Sequence, residues 1–357
     1  MINIPNHLSE ITRDWVATCL DNNSLESVTL EPFGEGVGMM SSMAIVRLSW
    51  PENSSAELPQ SLVIKIAADN DTNRTVAQQF DLYLKEVNYY SDLAPLTTAT
   101  SPKVYASDID DKHNFFLLMQ DISDYRMGSQ VDGATLAECE LMVDFLARLH
   151  ASFWNKLDDV AWLPHMSGSQ NATNMALGCE HGWEQLLSYF GEFVPEPINA
   201  NRDRYVKSIS SLQERLDQSP RTLIHGDFRM DNMLFGQKPE HEALMVVDFQ
   251  GPLKGNGIQD LGYLLSHSAK TEVRQEHERE LIARYVDQLK LHGVNHYTVD
   301  SAFEHYRVGV AYAWTVAVVI AGTMDPANDR GYAWMSKMVE RNGIAFQDLN
   351  CLELLSS

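Results

Sequence analysis

The segment 222–250 is the feature of this chain that most constrains its fold. It interrupts a predominantly helical half with two short apolar runs, LIHGDFRMDNMLF and ALMVVDFQ, which both carry carboxylates and are separated by the polar turn GQKPEHE. Asp227 and Asn232 lie in the first run, and Asp248 lies near the end of the second. Asp and Asn are common turn formers at strand ends, so each has a local explanation when taken alone. Their joint spacing calls for a chemical explanation.

That spacing is the pattern D-x-x-x-x-N followed by a hydrophobic strand that ends in Asp-Phe, which is typical of kinase catalytic loops. In phosphoryl transfer one carboxylate orients the acceptor hydroxyl and takes its proton, while an Asn and a second Asp hold Mg²⁺ against the phosphates. Oxygen ligands of this kind suit a hard cation, and no thiolate or imidazole is required. The segment therefore predicts phosphoryl-transfer chemistry, which other parts of the chain can test.

A glycine-rich stretch lies upstream, in the order expected for such an enzyme. The run FGEGVGMM places Gly34, Gly36 and Gly38 between two strand-like segments, where a bare backbone can approach phosphates. The usual G-x-G-x-x-G spacing is only partly met. A plain hairpin turn is the alternative interpretation.

A lysine follows within the apolar strand SLVIKIAAD. Burying the Lys65 ammonium there is costly unless it is paired. Glu86 lies on the predicted helix that follows, close to its apolar stripe, and is positioned to meet Lys65 as in the kinase Lys–Glu pair. Taken singly, Lys65 could be an edge-strand lysine whose ammonium reaches solvent, and Glu86 a solvated helix charge. The acidic segment downstream favours the pair.

Hydrophobic periodicity predicts a small mixed lobe followed by a larger helical one. Short β-prone runs and one helix with apolar residues every three to four positions fill the first third, and amphipathic helices fill most of the remainder. The predicted strands are 25–32, 43–50, 61–67, 103–106 and 114–119, the early helix is 75–93, and the later helices are 136–154, 202–216, 272–291 and 300–321. These elements predict an α+β architecture with two lobes.

Composition and charge restrict the partners. The formal net charge of −22 repels nucleic-acid backbones and anionic lipid, and no basic block opposes it, so we expect neither nucleic-acid nor membrane binding. The four cysteines form no metal-binding or disulfide spacing, and the N-terminus lacks the pattern of a secretory signal, which together favour the cytoplasm. The apolar stretch 308–324 is at the bottom of the membrane-spanning range, so a buried core helix is the favoured interpretation.

The segments HGDFRMDNMLF, VVDFQGP and DLGYLL resemble the aminoglycoside phosphotransferase and choline kinase group of small-molecule kinases. The nearest likeness is to its ecdysteroid-kinase-like and uncharacterised bacterial branches. It extends from about residue 30 to 270 and is most specific in the C-terminal half. It implies a protein-kinase-like fold with an antiparallel-sheet lobe over 1–120 that binds the nucleotide and a mostly helical lobe over 121–357 that carries catalysis and the substrate.

The same resemblance implies roles for individual residues. Asp227 would be the catalytic base, with Arg229 contacting the transferring phosphate, and Asn232 and Asp248 would bind Mg²⁺. In the nucleotide site, Lys65 would contact the α- and β-phosphates of ATP and Glu86 would hold Lys65. The glycine loop of Gly34, Gly36 and Gly38 would approach the phosphates, and the stretch bracketed by Met119 and Asp121 would meet the adenine. An ion pair with Asp231 or another acid is the structural alternative for Arg229. His225 is expected to be a hydrogen-bonded structural residue, and Asp260 a helix N-cap or a brace for the loop around Asp227.

One departure and several alternatives accompany this prediction. Gln250 occupies a position where many antibiotic kinases carry a second acid, which leaves the number of metal ions open. A catalytically silent kinase-like fold that binds a ligand or partner is the alternative function. A protein kinase is disfavoured because the chain has HGD in place of HRD and no APE-like segment.

The expected acceptor is a small hydroxylated molecule. A cationic amino-alcohol and a neutral alcohol or sterol-like compound fit equally well, because net charge reflects solubility as much as substrate. Aromatic residues of the helical half are candidates to line its pocket, or else they form core; they are Trp154, Trp162, Trp183, Tyr189, Tyr306, Tyr312 and Trp314.

Overall fold

The computed structural model describes residues 2–33, 40–324 and 329–356. The chain forms two compact units, and both are discontinuous in sequence. Unit 1 comprises Met1–Pro95, Ser101–Arg126 and Val246–Gln250, and unit 2 comprises Leu96–Thr100, Met127–Met245 and Gly251–Ser357. The nucleotide-binding and catalytic roles of the continuous segments 1–120 and 121–357 stay predictions.

Unit 1 is built on a five-stranded antiparallel sheet with strand order β1-β2-β3-β5-β4. Its elements in chain order are α1 (Arg13–Cys19), β1 (Ser27–Phe33), β2 (Ser41–Ser49), β3 (Ser61–Ala67), α2 (Asp71–Gln79), α3 (Leu82–Asn88), β4 (Val104–Ile109) and β5 (Phe115–Gln120). The five predicted strands are confirmed, with boundaries moved by at most a few residues.

The core of unit 1 lies on the face of the sheet that α1 covers. Ile64 and Ile66 of β3 and Phe116 of β5 are fully buried there, and the Trp15 ring of α1 meets Phe116 edge to face at 4.9 Å. Successive side chains of a strand point to opposite faces. Lys65, between the two isoleucines, therefore projects from the other face.

The prediction of a single helix over 75–93 is wrong. The chain instead forms α2, α3 and a π-helical turn over Tyr89–Leu93. Asp81 separates α2 from α3 with a left-handed backbone, φ 52°, which ends the first helix and reorients the second. The apolar period continues across the break, so periodicity alone did not reveal it.

Unit 2 is mostly helical, as predicted. Its elements, together with the short strands at its boundaries, are β6 (Arg126–Met127), α4 (Leu136–Phe153), α5 (Gln170–Phe190), α6 (Glu196–Ala200), α7 (Arg202–Leu216), β7 (Thr222–Ile224), β8 (Met233–Phe235), β9 (Leu244–Val246), β10 (Leu253–Gly255), α8 (Ile258–Tyr263), α9 (Thr271–Leu291), α10 (Val299–Thr323) and α11 (Asp329–Asp348). The strands form two small sheets, β10-β7 and β6-β8-β9. The predicted helices correspond to α4, α7, α9 and α10, whereas α5 and α11 were not individually predicted.

The long helix α10 is the centre of unit 2. Its most apolar 18-residue window is 72% buried, so although α10 alone among the described helices has the length and composition of a membrane span, it packs as a core helix. Glycine pairs bring neighbouring helices close to it. A Cβ at Gly322 would lie 2.2 Å from the Gly182 carbonyl oxygen of α5, and one at Gly262 of α8 would lie 2.9 Å from the Gly309 carbonyl carbon.

Candidate functional site

The first constellation of predicted site residues lies in unit 1 and centres on Lys65. Its ammonium lies 2.8 Å from a carboxylate oxygen of Glu86 and 2.8 Å from Oδ1 of Asp248. The Glu86 side chain is only 1% exposed and that of Lys65 only 8%. Burial by itself would lower the pKa of Lys65, but the two carboxylates outweigh it and raise that pKa above its usual range. The predicted Lys65–Glu86 contact is therefore present, and its ammonium is charged. On the other side of the contact, burial raises the pKa of Glu86 to about 7, against the opposing effect of Lys65.

Contacts of the two residues that follow Asp248 hold the segment that carries it. Asp248 has a left-handed backbone, φ 68°, a conformation that aspartate tolerates better than most other non-glycine residues. Next to it, the buried Phe249 ring stacks on Tyr89 at 3.6 Å with nearly parallel planes. Gln250, at the position where many antibiotic kinases carry a second acid, donates from Nε2 to Asp248 Oδ2 at 2.8 Å. The glutamine is thus a hydrogen-bond partner of the carboxylate.

The second constellation lies in unit 2, on residues 225–232, here called the 225–232 loop. It follows β7 and turns sharply at Gly226, where φ is +86° and an added Cβ would lie 2.1 Å from the Gly251 carbonyl oxygen, so only glycine fits. Asp260 of α8 accepts the backbone N–H groups of His225, at 2.7 Å, and of Gly226, at 3.1 Å. The prediction of a brace is confirmed, and the N-cap alternative is wrong because Gly257 holds that position.

Asp227 is held by donors on both carboxylate oxygens. Asn232 Nδ2 donates to Oδ2 at 3.1 Å and to the Asp227 carbonyl oxygen at 2.9 Å. The hydroxyl of Tyr263, on α8, donates to Oδ1 at 2.9 Å. The backbone N–H of Asp227 donates to Nδ1 of the fully buried His225, which confirms the structural part predicted for that histidine.

Arg229 lies between two acids and an aromatic ring. Its Nε is 3.3 Å from Asp227 Oδ2 and its Nη1 is 3.7 Å from Asp231 Oδ2. The guanidinium also lies over the Trp334 ring of α11, 4.7 Å from its centroid, in a cation–π arrangement. The ion pair with Asp231 was the alternative weighed for this residue, and both acids contact it here.

The two predicted metal ligands have the right chemistry for Mg²⁺. Asn232 uses its Nδ2 in the bonds to Asp227, which leaves its amide oxygen, the atom a cation would need, outside them. One-fifth of the Asp248 side-chain surface is exposed to solvent. Among the described residues no group of three or more His, Cys, Asp or Glu side chains is arranged to hold a metal ion. Each of the two side chains suits Mg²⁺, which needs few protein ligands because it keeps several waters and binds one or two carboxylates plus substrate phosphates.

The remaining predicted nucleotide contacts are less informative. Gly34, Gly36 and Gly38 lie outside the described residues. Met119 is a buried residue of β5, paired with Val63 of β3. The carboxylate of Asp121 accepts from Ser61 Oγ at 2.6 Å and from the Ser123 backbone at 2.9 Å, so it shapes the chain after β5.

The aromatic residues considered for the acceptor pocket are mostly core. Trp183, Tyr306 and Trp314 are fully buried, and Tyr312 is 5% exposed. Their helical spacing therefore marks packing. The sequence did not predict two residues that contact the 225–232 loop, Tyr263 and Trp334. The only signal for Tyr263 is its position three residues after Asp260. No local pattern connects Trp334 to Arg229.

Comparison with solved structures gives the class of fold. Choline kinase from Cryptosporidium parvum Iowa II matches with a TM-score of 0.57 at 11% identity, over 92% of each chain. Plasmodium vivax ethanolamine kinase matches with a TM-score of 0.58 at 12% identity, over 98% of this chain and 92% of its own. The GDP complex of aminoglycoside 2'-phosphotransferase-IIIa matches with a TM-score of 0.55 at 15% identity, over 96% and 99%. The chain therefore has the kinase-like fold of small-molecule phosphotransferases.

The family follows from the sequence. The model of the ecdysteroid kinase-like family matches residues 35–293, most of the chain, and the protein belongs to that family. This confirms the predicted resemblance. A search of curated proteins found no match.

Proposed function

We propose that the protein transfers the γ-phosphate of ATP, with Mg²⁺, to a hydroxyl group of a small molecule. The observation that carries the proposal is the buried ammonium of Lys65 between the Glu86 and Asp248 carboxylates, 2.8 Å from each. A buried cation with two anionic partners is costly to assemble for structure alone. In phosphoryl transfer the same ion pair prepares a lysine to contact nucleotide phosphates.

The roles follow from the chemistry of each group. Asp227 acts as the base that orients the acceptor hydroxyl and takes its proton, and Arg229 stabilises charge on the transferring phosphate. Asn232 and Asp248 hold Mg²⁺, which would neutralise the phosphates when bound. Family membership and the kinase-like fold support these assignments, and we carry over the cytoplasm as the expected location.

A thermal-shift titration with ATP and GTP, each with and without Mg²⁺, tests nucleotide binding. A ligand present at 100 times its Kd stabilises the folded state by about 2.7 kcal/mol, which raises the midpoint by several degrees. We expect Asp248→Ala to abolish the Mg²⁺-dependent part of this shift and Asp227→Ala to retain the shift. Absence of any shift with millimolar nucleotide would favour the catalytically silent fold.

Turnover is measured as ATP consumption with panels of neutral alcohols and amino-alcohols. Asp227→Ala should lower kcat by about 10²–10⁴-fold, the range of general-base contributions. Asp217→Ala is the matched control, because this buried carboxylate is bonded to His165, Ser167 and Arg221 and to no residue of the 225–232 loop. Equal losses of turnover and stability in Asp227→Ala and Asp217→Ala would contradict the assigned role.

A further inference from the structure

Tyr263 is a buried hydroxyl directed at the carboxylate of Asp227. The residue is 1% exposed, and its Oη lies 2.9 Å from Asp227 Oδ1. The Asp227 side chain itself is 28% exposed, so the tyrosine meets it from the protein interior while the carboxylate still reaches solvent. This arrangement places the hydroxyl behind the reacting group.

The two oxygens of Asp227 have different environments. Oδ2 accepts from Asn232 Nδ2 at 3.1 Å and has Arg229 Nε at 3.3 Å. Oδ1 accepts from Tyr263, and no other donor to it is found in the described part of the chain. A carboxylate oxygen has room for a second hydrogen bond. Oδ1 is therefore the oxygen better able to accept a hydrogen bond from the hydroxyl of the substrate. The bond from Tyr263 fixes the direction in which Oδ1 points.

The tyrosine is a reliable donor. Burial, with a further contribution from the Asp227 carboxylate, raises the pKa of Tyr263 well above its usual range. The hydroxyl therefore keeps its proton at any physiological pH. An O–H group that donates to a carboxylate makes a charge-assisted bond, which is stronger than a bond between two neutral groups.

The helix that carries the tyrosine is itself fixed to the loop. Asp260, one turn earlier on α8, holds the backbone N–H groups of His225 and Gly226. On the opposite side, α8 approaches α10 so closely that a Cβ on Gly262 would lie 3.0 Å from the Val310 nitrogen. One short helix thus holds both the backbone of the loop and its carboxylate.

We propose that Tyr263 is a positioning residue for phosphoryl transfer, which holds Asp227 in the orientation that accepts the proton of the acceptor hydroxyl. The inference rests on the proposed function. Misplacing a reacting group by about 1 Å can cost roughly 10²-fold in rate. A tyrosine that fixes the base therefore affects kcat without contacting nucleotide or acceptor.

Tyr263→Phe is the direct test, because it removes one oxygen and retains the ring that packs edge to face on His267. Turnover is followed as Mg·ATP hydrolysis with water as the acceptor, and then with any alcohol that the screen identifies. We expect kcat to fall about 10- to 100-fold, with the KM for ATP and the thermal midpoint close to those of the unaltered protein.

Tyr306→Phe is the matched control. Tyr306 is also fully buried, and its hydroxyl also donates to a carboxylate, that of Glu278, at 3.2 Å. Its loss should leave kcat within about twofold of the unaltered protein. A kcat for Tyr263→Phe that is no lower than that of Tyr306→Phe would overturn the proposal.

A double-mutant cycle with Asp227→Ala separates positioning from general stability. If Tyr263 acts through Asp227, adding Tyr263→Phe to Asp227→Ala causes no further loss of turnover. The cycle is also run on urea unfolding midpoints, where the two substitutions should lower the midpoint by less than the sum of their separate effects. Strictly additive effects in the unfolding cycle would show that the contact is not made and overturn the proposal.

The unfolding cycle needs no substrate, so the two proposals fail in distinguishable ways. Coupling in unfolding without any turnover would reject the proposed function and, with it, the catalytic consequence of the contact. Turnover that responds to Asp227→Ala but not to Tyr263→Phe would uphold the function and reject the positioning role.

Discussion

At the scale of single residues, the site depends on charges that are buried but paired. Lys65 and Glu86 are nearly inaccessible to solvent, and either one alone would carry a large desolvation penalty. The pair is stable because the ammonium meets two carboxylates at hydrogen-bond distance. Removing one partner of such a pair leaves a buried charge without full compensation. This costs more free energy of unfolding than replacing both partners with apolar residues.

We therefore expect Glu86→Gln to lower the free energy of unfolding by about 3 kcal/mol, near the lower end for a broken buried pair because Asp248 remains. Urea unfolding at neutral pH measures the change. The matched surface pair is Lys337–Glu340, where both side chains are more than one-third exposed. Glu340→Gln should cost less than about 1 kcal/mol. Similar losses in the two variants would contradict a buried, charged Lys65 pair.

At the scale of elements, close helix approaches fix the positions of the functional side chains. The crossing of α8 and α10 at Gly262 and Gly309 leaves no room for a methyl group. Because Tyr263 and Asp260 are on α8, this crossing also sets how α8 meets the 225–232 loop. The same helix thus connects core packing to the candidate base.

Gly262→Ala should displace α8, because its Cβ would meet backbone atoms of α10 at 2.9–3.0 Å, which cannot rotate away. We expect a loss of about 1–3 kcal/mol in unfolding free energy, the usual cost of overpacking, together with reduced turnover. Gly191→Ala is the control, since an added Cβ there has no atom within 4 Å. If Gly262→Ala unfolds at the same urea concentration as Gly191→Ala, the crossing is not rigid.

The order of the elements was largely predictable from local patterns. Strands were recognised from short β-prone runs, and α4, α7, α9 and α10 from the spacing of apolar residues. The break between α2 and α3 at Asp81 was not predictable. Aspartate tolerates the left-handed backbone found there, but the surrounding sequence does not require it. Spacing along the chain predicted Asp227, Asn232 and Asp248 as members of one motif. The contacts of Tyr263 and Trp334 depend on helix packing, and no spacing in the sequence indicates them.

At the scale of the whole molecule, the dominant feature is the charge of −22. Self-repulsion of that size opposes compact states, and salt screens it over a Debye length of about 10 Å at 0.1 M. The charge also disfavours association with anionic polymers and surfaces, which remains our expectation for partners.

We expect the midpoint of thermal unfolding to rise by a few degrees as NaCl increases from about 0.02 to 0.5 M, with most of the rise complete by about 0.2 M. Screening saturates in this way, whereas a general salting-out effect continues to grow with concentration. Differential scanning fluorimetry across a salt series measures it. A falling midpoint would mean that specific ion pairs outweigh the net repulsion.

The amino-acid sequence alone indicated most of the order of elements, the two acidic runs of 222–250 and the pairing of Lys65 with Glu86. These follow from local periodicity, from spacing along the chain and from the cost of burying an unpaired charge. Only the tertiary structure decided that Val246–Gln250 belongs to unit 1, that Tyr263 meets Asp227 and that Trp334 meets Arg229. Such contacts join residues distant in sequence, and the packing of helices and sheets, which no short pattern encodes, brings them together.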